Sequence, residues 1–207
     1  MSGGAAIEAL LFDLGNVLID VDFGRAIAEW AKAANVPEGR IAPCFAPDDA
    51  YCAHERGELS EAQYFASLRK SLGIDLRDEQ FLSGWNAIFG EPIPGMEQLI
   101  RDLSQALPVY AFSNTNKAHR RYWEPRYRAL LAPIRQVICS CDIGIRKPDA
   151  IAFTKVAQLI GVAPSRIGFF DDLEDNVAGA RAAGLHAFRA SSALEVRKAL
   201  PALGIEL

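Results

Sequence analysis

Two aspartates stand side by side at Asp171 and Asp172, directly after Ile167-Gly168-Phe169-Phe170, a run without a polar side chain. Like charges at one point are costly unless a cation neutralises them. Oxygen ligands of this kind suit magnesium, which takes one or two carboxylates and keeps water and phosphate oxygens at its other positions. Three more stretches end apolar runs with groups able to handle phosphate: Phe12-Asp13-Leu14-Gly15-Asn16, Phe112-Ser113-Asn114-Thr115-Asn116 and Arg146-Lys147-Pro148. Asp13, at the end of a buried run, is placed to act as a nucleophile whose direction a rigid scaffold fixes; its bland alternative is a turn or helix cap. Ser113 and Asn114 offer a hydroxyl and an amide where the free N–H groups of a strand-to-helix turn favour an anion. Lys147 supplies the compact positive charge that a phosphoryl group needs. Asp175 and Asn176, one turn after the acidic pair, can orient the metal-binding acid. Capping of a helix running through Val177, Ala180 and Ala183 explains one of the two aspartates, not both.

The chain that must position these groups has 207 residues, half of them hydrophobic, and a formal charge of −4. That length fits one sizeable domain, or a domain with a modest insertion. Mild acidity without a basic run gives no general attraction to nucleic acid or to an anionic membrane, so a bound phosphate would need a local cation. No apolar run approaches the roughly 20 residues of a membrane span. Met1 to Ala5 lacks the basic start and apolar middle of a signal peptide. Cys139 and Cys141, two apart, would share one face of a strand as buried thiols. A zinc site on Cys52 and His54 lacks the usual paired spacing. A reduced, cytoplasmic protein is expected. Nothing in the sequence sets an oligomeric state.

Strand-like runs fall at Ala9–Phe12, Val109–Phe112, Val137–Cys139, Ile167–Phe170 and His186–Phe188, short and nearly continuous as in parallel strands covered on both faces. Between them lie helical stripes, one through Met96, Leu99, Ile100, Leu103 and Leu107, another through Ile151, Val156, Leu159 and Ile160. The alternation predicts an α/β fold, a Rossmann-like parallel-sheet core built from residues 1–20 and 95–207. Residues 21–94 break the rhythm. Phe23, Ile27, Trp30 and Ala34, then Tyr64, Phe65, Leu68 and Leu72, mark helices with no convincing strand, so this segment is expected to be a small all-helical cap inserted after the first strand. A cap there can cover the strand tips and exclude water.

Asp13-x-x-x-Val17, the Ser113 strand end, Lys147-Pro148 and Asp171-Asp172-x-x-x-Asn176 resemble, in order and spacing, the four motifs of the haloacid dehalogenase-like superfamily, over essentially the whole chain. Phe12-Asp13-Leu14-Gly15-Asn16-Val17, His54-Glu55-Arg56-Gly57-Glu58 and Ser113-Asn114-Thr115-Asn116 look like its bacterial α-D-glucose-1-phosphate phosphatase branch, itself similar to the phosphatase domain of soluble epoxide hydrolase. The resemblance implies a small phosphorylated metabolite as substrate and magnesium as cofactor. It implies that Asp13 attacks phosphorus, that the metal sits between the carboxylates of Asp13 and Asp172 and the carbonyl of Gly15, and that Ser113 and Asn114 hold phosphoryl oxygens. Lys147 would neutralise nucleophile and phosphate, with Asp171 and Asn176 supporting the metal.

Most phosphatases of the superfamily carry an aspartate two residues after the nucleophile, where it protonates the leaving oxygen and then activates water. Here that position is Gly15. General acid–base catalysis typically contributes around 10²–10⁴-fold. Either the leaving group needs little help, as an anomeric hydroxyl would, or Asp20, His54 or Glu55 substitutes. The leading expectation is a magnesium-dependent phosphatase acting on a hexose 1-phosphate or a similar small phosphomonoester. Two alternatives are a 2-haloacid dehalogenase-type hydrolase, which the acidic pair disfavours because it would repel a carboxylate substrate, and a catalytically weak sugar-phosphate-binding protein.

Overall fold

The apolar runs do become the sheet. The computed structural model describes residues 6–206, and the Met1–Ala5 stretch considered for a signal peptide lies outside them. Strands β1 (Ala9–Phe12), β4 (Val109–Ser113), β5 (Gln136–Cys139), β6 (Ile167–Asp171) and β7 (His186–Arg189) form one parallel sheet in the order β5-β4-β1-β6-β7. The order reverses beside β1, which makes the carboxyl ends of β1, β4 and β6 the place where such a sheet binds ligands. Alternation along the strands feeds two cores. Leu10, Phe12 and Phe170 join the apolar cluster on one face; Ala9, Leu11 and Phe169 join the cluster on the other. Phe12 pairs with both Ala111 and Phe170, and this register levels the three strand tips.

A second, antiparallel pair, β2 (Ile19–Val21) and β3 (Phe89–Pro92), links the sheet to a run of helices: α1 (Phe23–Ala34), α2 (Glu38–Ile41), α3 (Asp49–Glu55), α4 (Glu61–Leu72) and α5 (Asp78–Asn86). These helices share their own apolar cluster around Trp30, Phe65, Phe81 and Trp85. The strand β3 corrects the expectation of no strand in this region. Its four residues are too short and too little alternating to stand out in sequence.

The remaining helices flank the parallel sheet: α6 (Met96–Ala106), α7 (Lys117–Arg126), α8 (Arg128–Leu131), α9 (Ser140–Ile143), α10 (Ala150–Ile160), α11 (Glu174–Ala182) and α12 (Ala193–Ala199). The α6 stripe is buried as expected. On α10 the buried face is instead Ala152, Phe153, Val156 and Ala157, with Ile151 and Leu159 exposed. Small alanines complete that face, so the large aliphatic residues alone misplace it. Cys141 lies in α9, so it does not share a strand face with Cys139, although both thiols are buried. Among the described residues no helix is long and apolar enough to cross a membrane.

Candidate active site

Asp13 follows β1, Ser113 ends β4, Asp171 ends β6 with Asp172 next, and Lys147 lies in the loop between α9 and α10. The structure brings them together. Lys147 Nζ lies 2.7 Å from Asp13 Oδ1 and 2.7 Å from Asp171 Oδ2. The lysine is 1% exposed and Asp171 fully buried. Its ammonium also sits over the Phe112 and Phe169 rings, at 5.4 and 5.6 Å from their centres. A buried ammonium is costly in isolation; with two carboxylates as partners, Lys147 keeps its proton more firmly than an ordinary lysine although burial alone would loosen it.

Asp171 is fully occupied by the protein. Besides Lys147, its Oδ1 accepts from the backbone N–H of Leu173 (2.9 Å) and its two oxygens accept from Asn176 Nδ2 (2.9 and 3.1 Å). Asn176 therefore holds Asp171 and not Asp172, and Asp175 is exposed, away from the role of orienting the acid. Asn114 also differs from expectation in detail. Its side chain clasps the Lys147 backbone, Nδ2 donating to the Lys147 carbonyl and Oδ1 accepting from the Lys147 N–H, both at 2.9 Å. The amide is thus a brace for the lysine, and what Asn114 can offer an anion is its backbone N–H. The Ser113 hydroxyl, with one 3.5 Å contact to the Asn114 carbonyl, remains able to turn to a phosphoryl oxygen.

Ligand oxygens of Asp13, Asp171 and Asp172 lie within 4.8 Å of one another. Burial, first of all, raises the Asp13 carboxyl above the usual range against the pull of Lys147, with Asp171 and Asp172 adding to the rise. Asp172 is likewise raised, by burial and then by Asp171. One lysine does not neutralise three acids, and that surplus of hard-oxygen charge fits magnesium in donor chemistry. With Asp171 saturated, the donors left for a metal are Asp13 and Asp172, with the Gly15 carbonyl on the same wall of the cavity.

The tips open into a cavity of about 300 Å³. Asp13, Gly15, Ser113, Asn114, Lys147, Asp172 and Asn176 line its floor; Val21, Phe23, Tyr51, Glu55 and Phe89 supply walls from the linking strands and the helical segment. The volume holds a phosphorylated metabolite of a few carbons and little more. Gly15 is not required by the backbone: its φ is not positive, and an added Cβ would meet only Val21 Cγ2 at 3.5 Å and Val21 Cβ at 3.9 Å, ordinary contacts.

Of the three groups considered as stand-ins for an acid at position 15, the structure separates one. Asp20 is half-exposed and ion-paired with Arg25, and His54 Nδ1 donates to Leu59 O (3.1 Å) away from the cavity lining. Glu55 lines the cavity. His119, in the first turn of α7, also reaches it, but its ring nitrogens are engaged by Trp85 O at 2.9 Å and Asn116 Nδ2 at 3.1 Å, and burial pulls its pKa down to about 3. Sequence reasoning gave no part to Ser140 or Arg146. Ser140 Oγ donates to Glu55 O (2.7 Å) and accepts from Thr115 N–H (2.9 Å), while Arg146 Nε and Nη2 each lie 2.8 Å from Glu55 Oε2. Together they clamp the end of α3 onto the sheet side. The adjacency of Arg146 to Lys147 was the available signal.

A family model described as haloacid dehalogenase-like hydrolase matches residues 7–184. Phosphatase MT3486 of Mycobacterium tuberculosis is 28% identical over 193 residues, covering 88% of this chain and 87% of the relative. D-ribitol-5-phosphate phosphatase of Bacteroides thetaiotaomicron is 23% identical over 199 residues, covering 94% and 97%. Among solved structures, a HAD family enzyme of Bacteroides thetaiotaomicron in complex with magnesium and inorganic phosphate superposes with a TM-score of 0.79 at 26% identity, covering 91% of this chain and 96% of that one.

Proposed function

We propose that this chain, which belongs to the haloacid dehalogenase-like hydrolase family, is a magnesium-dependent phosphatase that hydrolyses a small phosphomonoester through an aspartyl-phosphate on Asp13, with a hexose 1-phosphate the first substrate to test. The observation that carries the reading is the Asp13–Lys147–Asp171 triad beside Asp172 on the floor of a small cavity. Its relatives named as phosphatases, and the magnesium and phosphate in a structural neighbour, support it.

Asp13 is the nucleophile, held by Lys147 so that its carboxylate direction is set before substrate arrives. Ser113 Oγ and the N–H groups of the β4 tip receive the phosphoryl oxygens. Lys147 offsets negative charge on nucleophile and phosphoryl group, and Asn114 and Asp171 fix it at its backbone and at its ammonium. When bound by Asp13, Asp172 and the Gly15 carbonyl, magnesium supplies the remaining positive charge that two anions need to approach. The helical segment acts as the cap, shielding the strand tips from bulk solvent while leaving room for the water that hydrolyses the acyl phosphate.

Phosphate release across sugar and polyol phosphates, with and without magnesium, tests the reading. Asp13→Asn is expected to bring release down to the no-enzyme blank, and chelator to do the same for the unaltered protein. Release that persists in either case would overturn it. Gly15 favours one rival, a sugar-phosphate-binding protein without turnover; the rival stands if magnesium-dependent release never exceeds the blank for any ester.

A further inference from the structure

With Gly15 in place of a carboxylate, some other group must give a proton to the leaving oxygen and take one from the attacking water, or the reaction must run without either transfer. In-line displacement puts the leaving oxygen on the side of phosphorus opposite Asp13. Across the cavity from the strand tips, the polar side chains that the helical segment adds to the lining are Tyr51 and Glu55. Among the described residues Glu55 is the one carboxyl group that the helical segment contributes to the cavity lining. Its side chain is 5% exposed. Arg146 Nε and Nη2 converge on Oε2, and the Tyr51 hydroxyl hydrogen-bonds the same carboxyl group.

Resting on the phosphatase reading above, we propose that Glu55 is the acid–base residue of the reaction, acting from the cap in the role left open at position 15. In the first step an Asp13 oxygen forms a bond to phosphorus as the bond from phosphorus to the leaving oxygen breaks, and the proton on the Glu55 carboxyl passes to that oxygen, releasing the alcohol. In the second, Glu55 carboxylate takes a proton from water as its oxygen bonds phosphorus and the Asp13–phosphorus bond breaks, releasing inorganic phosphate and returning protonated Glu55. Arg146 receives the carboxylate between the two steps. The other candidates are less suited: Tyr51 holds its proton well above the usual phenol range, chiefly through burial, and both His119 nitrogens are engaged. Burial also raises Glu55, opposed first by Arg146, then by Tyr51 and more weakly by Lys147, the charged and titratable groups that face it. Burial thereby favours the protonated form that the first step calls for. The room above Gly15 supplies an independent handle, because an aspartate can be introduced there without a steric penalty at Cβ.

The experiment compares an unactivated alkyl phosphate with p-nitrophenyl phosphate, whose leaving group needs no acid. Glu55→Gln keeps an oxygen for Arg146 and the backbone bond to Ser140. It should lower kcat for the alkyl ester by about 10²-fold or more. On the nitrophenyl ester it should give one fast turnover followed by a slow steady rate, because only the second step now lacks its base. Adding Gly15→Asp should recover at least about tenfold of the lost alkyl-ester rate, the low end of what a positioned acid supplies. Equal losses on both esters without a burst, no recovery, or no loss at all overturn the proposal and leave Glu55 as a clamp for α3. If Glu55→Gln does not fold, the unaltered enzyme decides. The alkyl-ester rate must fall toward alkaline pH while nitrophenol release in a single turnover does not, and parallel profiles overturn the assignment. Unaltered protein whose release survives Asp13→Asn would instead sink the phosphatase reading itself.

Discussion

At the strand tips, Asp171, Lys147, Asn114 and Asn176 are each tied to protein partners, whereas the helical segment above them holds buried polar atoms with none. His54 Nε2, Tyr64 OH, Trp85 Nε1 and Asn86 Oδ1 are the buried side-chain atoms without a hydrogen-bond partner among the described residues, and all four belong to that segment. The difference follows from what each region buries. The tips bury full charges, for which an unmet partner costs several kcal/mol. The helical segment buries aromatic rings stacked in sequence, His54 on Tyr64 at 4.6 Å, Tyr64 near Trp85 at 5.1 Å and Trp85 on His119 at 4.4 Å. There the ring faces set the packing and a single N–H or O–H is a minor cost. A charged network has one low-energy arrangement, while the aromatic cluster is held by the fit of its ring faces.

The largest effect should come from breaking the tip network. Lys147→Met keeps the chain length but leaves Asp13 and Asp171 without their shared cation. Turnover should fall by at least about 10³-fold, and unfolding free energy by about 3–5 kcal/mol, as when one partner of a buried pair is removed. Steady-state rates and urea unfolding on one preparation check both. A variant that stays within about 1 kcal/mol of the parent, the worth of an exposed pair, would mean that the tip charges are better solvated than their burial indicates.

A smaller effect is expected at the junction of the two regions. His119, on α7, joins the sheet side to α5 through its 2.9 Å contact with Trp85 O. Its folded pKa of about 3 lies below the ordinary histidine value of 6.5, and His54 is lowered in the same direction, chiefly by burial. Below pH 6.5 these two histidines thus hold fewer protons in the native protein than in the unfolded chain, while the raised carboxyls of Asp13, Asp172 and Glu55 hold more. The histidines' share of stability is full above that pH and is lost as pH falls, at up to about 1.4 kcal/mol per unit for each fully neutral histidine. The difference in urea stability between the parent and His119→Gln isolates that share, and it should shrink from pH 7 to pH 5. An unchanged difference would place the acid sensitivity elsewhere.

The two regions were also unequally legible in the sequence. Asp13, Ser113, Lys147 and Asp171-Asp172 stand out because each interrupts or ends an apolar run, a local signal that survives without knowledge of contacts. The five strands of the parallel sheet come from the same runs, but their order in the sheet does not. What the sequence did not disclose depends on docking across long separations: Arg146 reaches Glu55 across 91 residues and Ser140 reaches it across 85. Asn114 shows the limit within a motif, since its residue type suits phosphate but its side chain braces the Lys147 backbone. Asp20, His54 and Glu55 had equal claims by residue type, and only the fold places Glu55 on the cavity wall.

The smallest effect tests whether unpartnered polar atoms in the helical segment are truly cheap. Trp30 and Trp85 are equally buried, at 0% and 1% exposure, and their rings stack on each other at 6.1 Å. They differ in one bond: Trp30 Nε1 donates to Phe81 O at 3.0 Å, while Trp85 Nε1 has no partner. Replacing either by phenylalanine removes the same ring volume, so the packing loss is common to both. Trp30→Phe also breaks a buried hydrogen bond, whereas Trp85→Phe removes a desolvated N–H that gained nothing. Trp30→Phe should therefore be the more destabilising by about 1 kcal/mol, the net worth of one such bond. Urea unfolding of the two variants with matched m-values resolves that difference. If Trp85→Phe costs as much or more, its indole N–H is satisfied in solution and the helical segment is as fully bonded as the strand tips, which would remove the contrast between them.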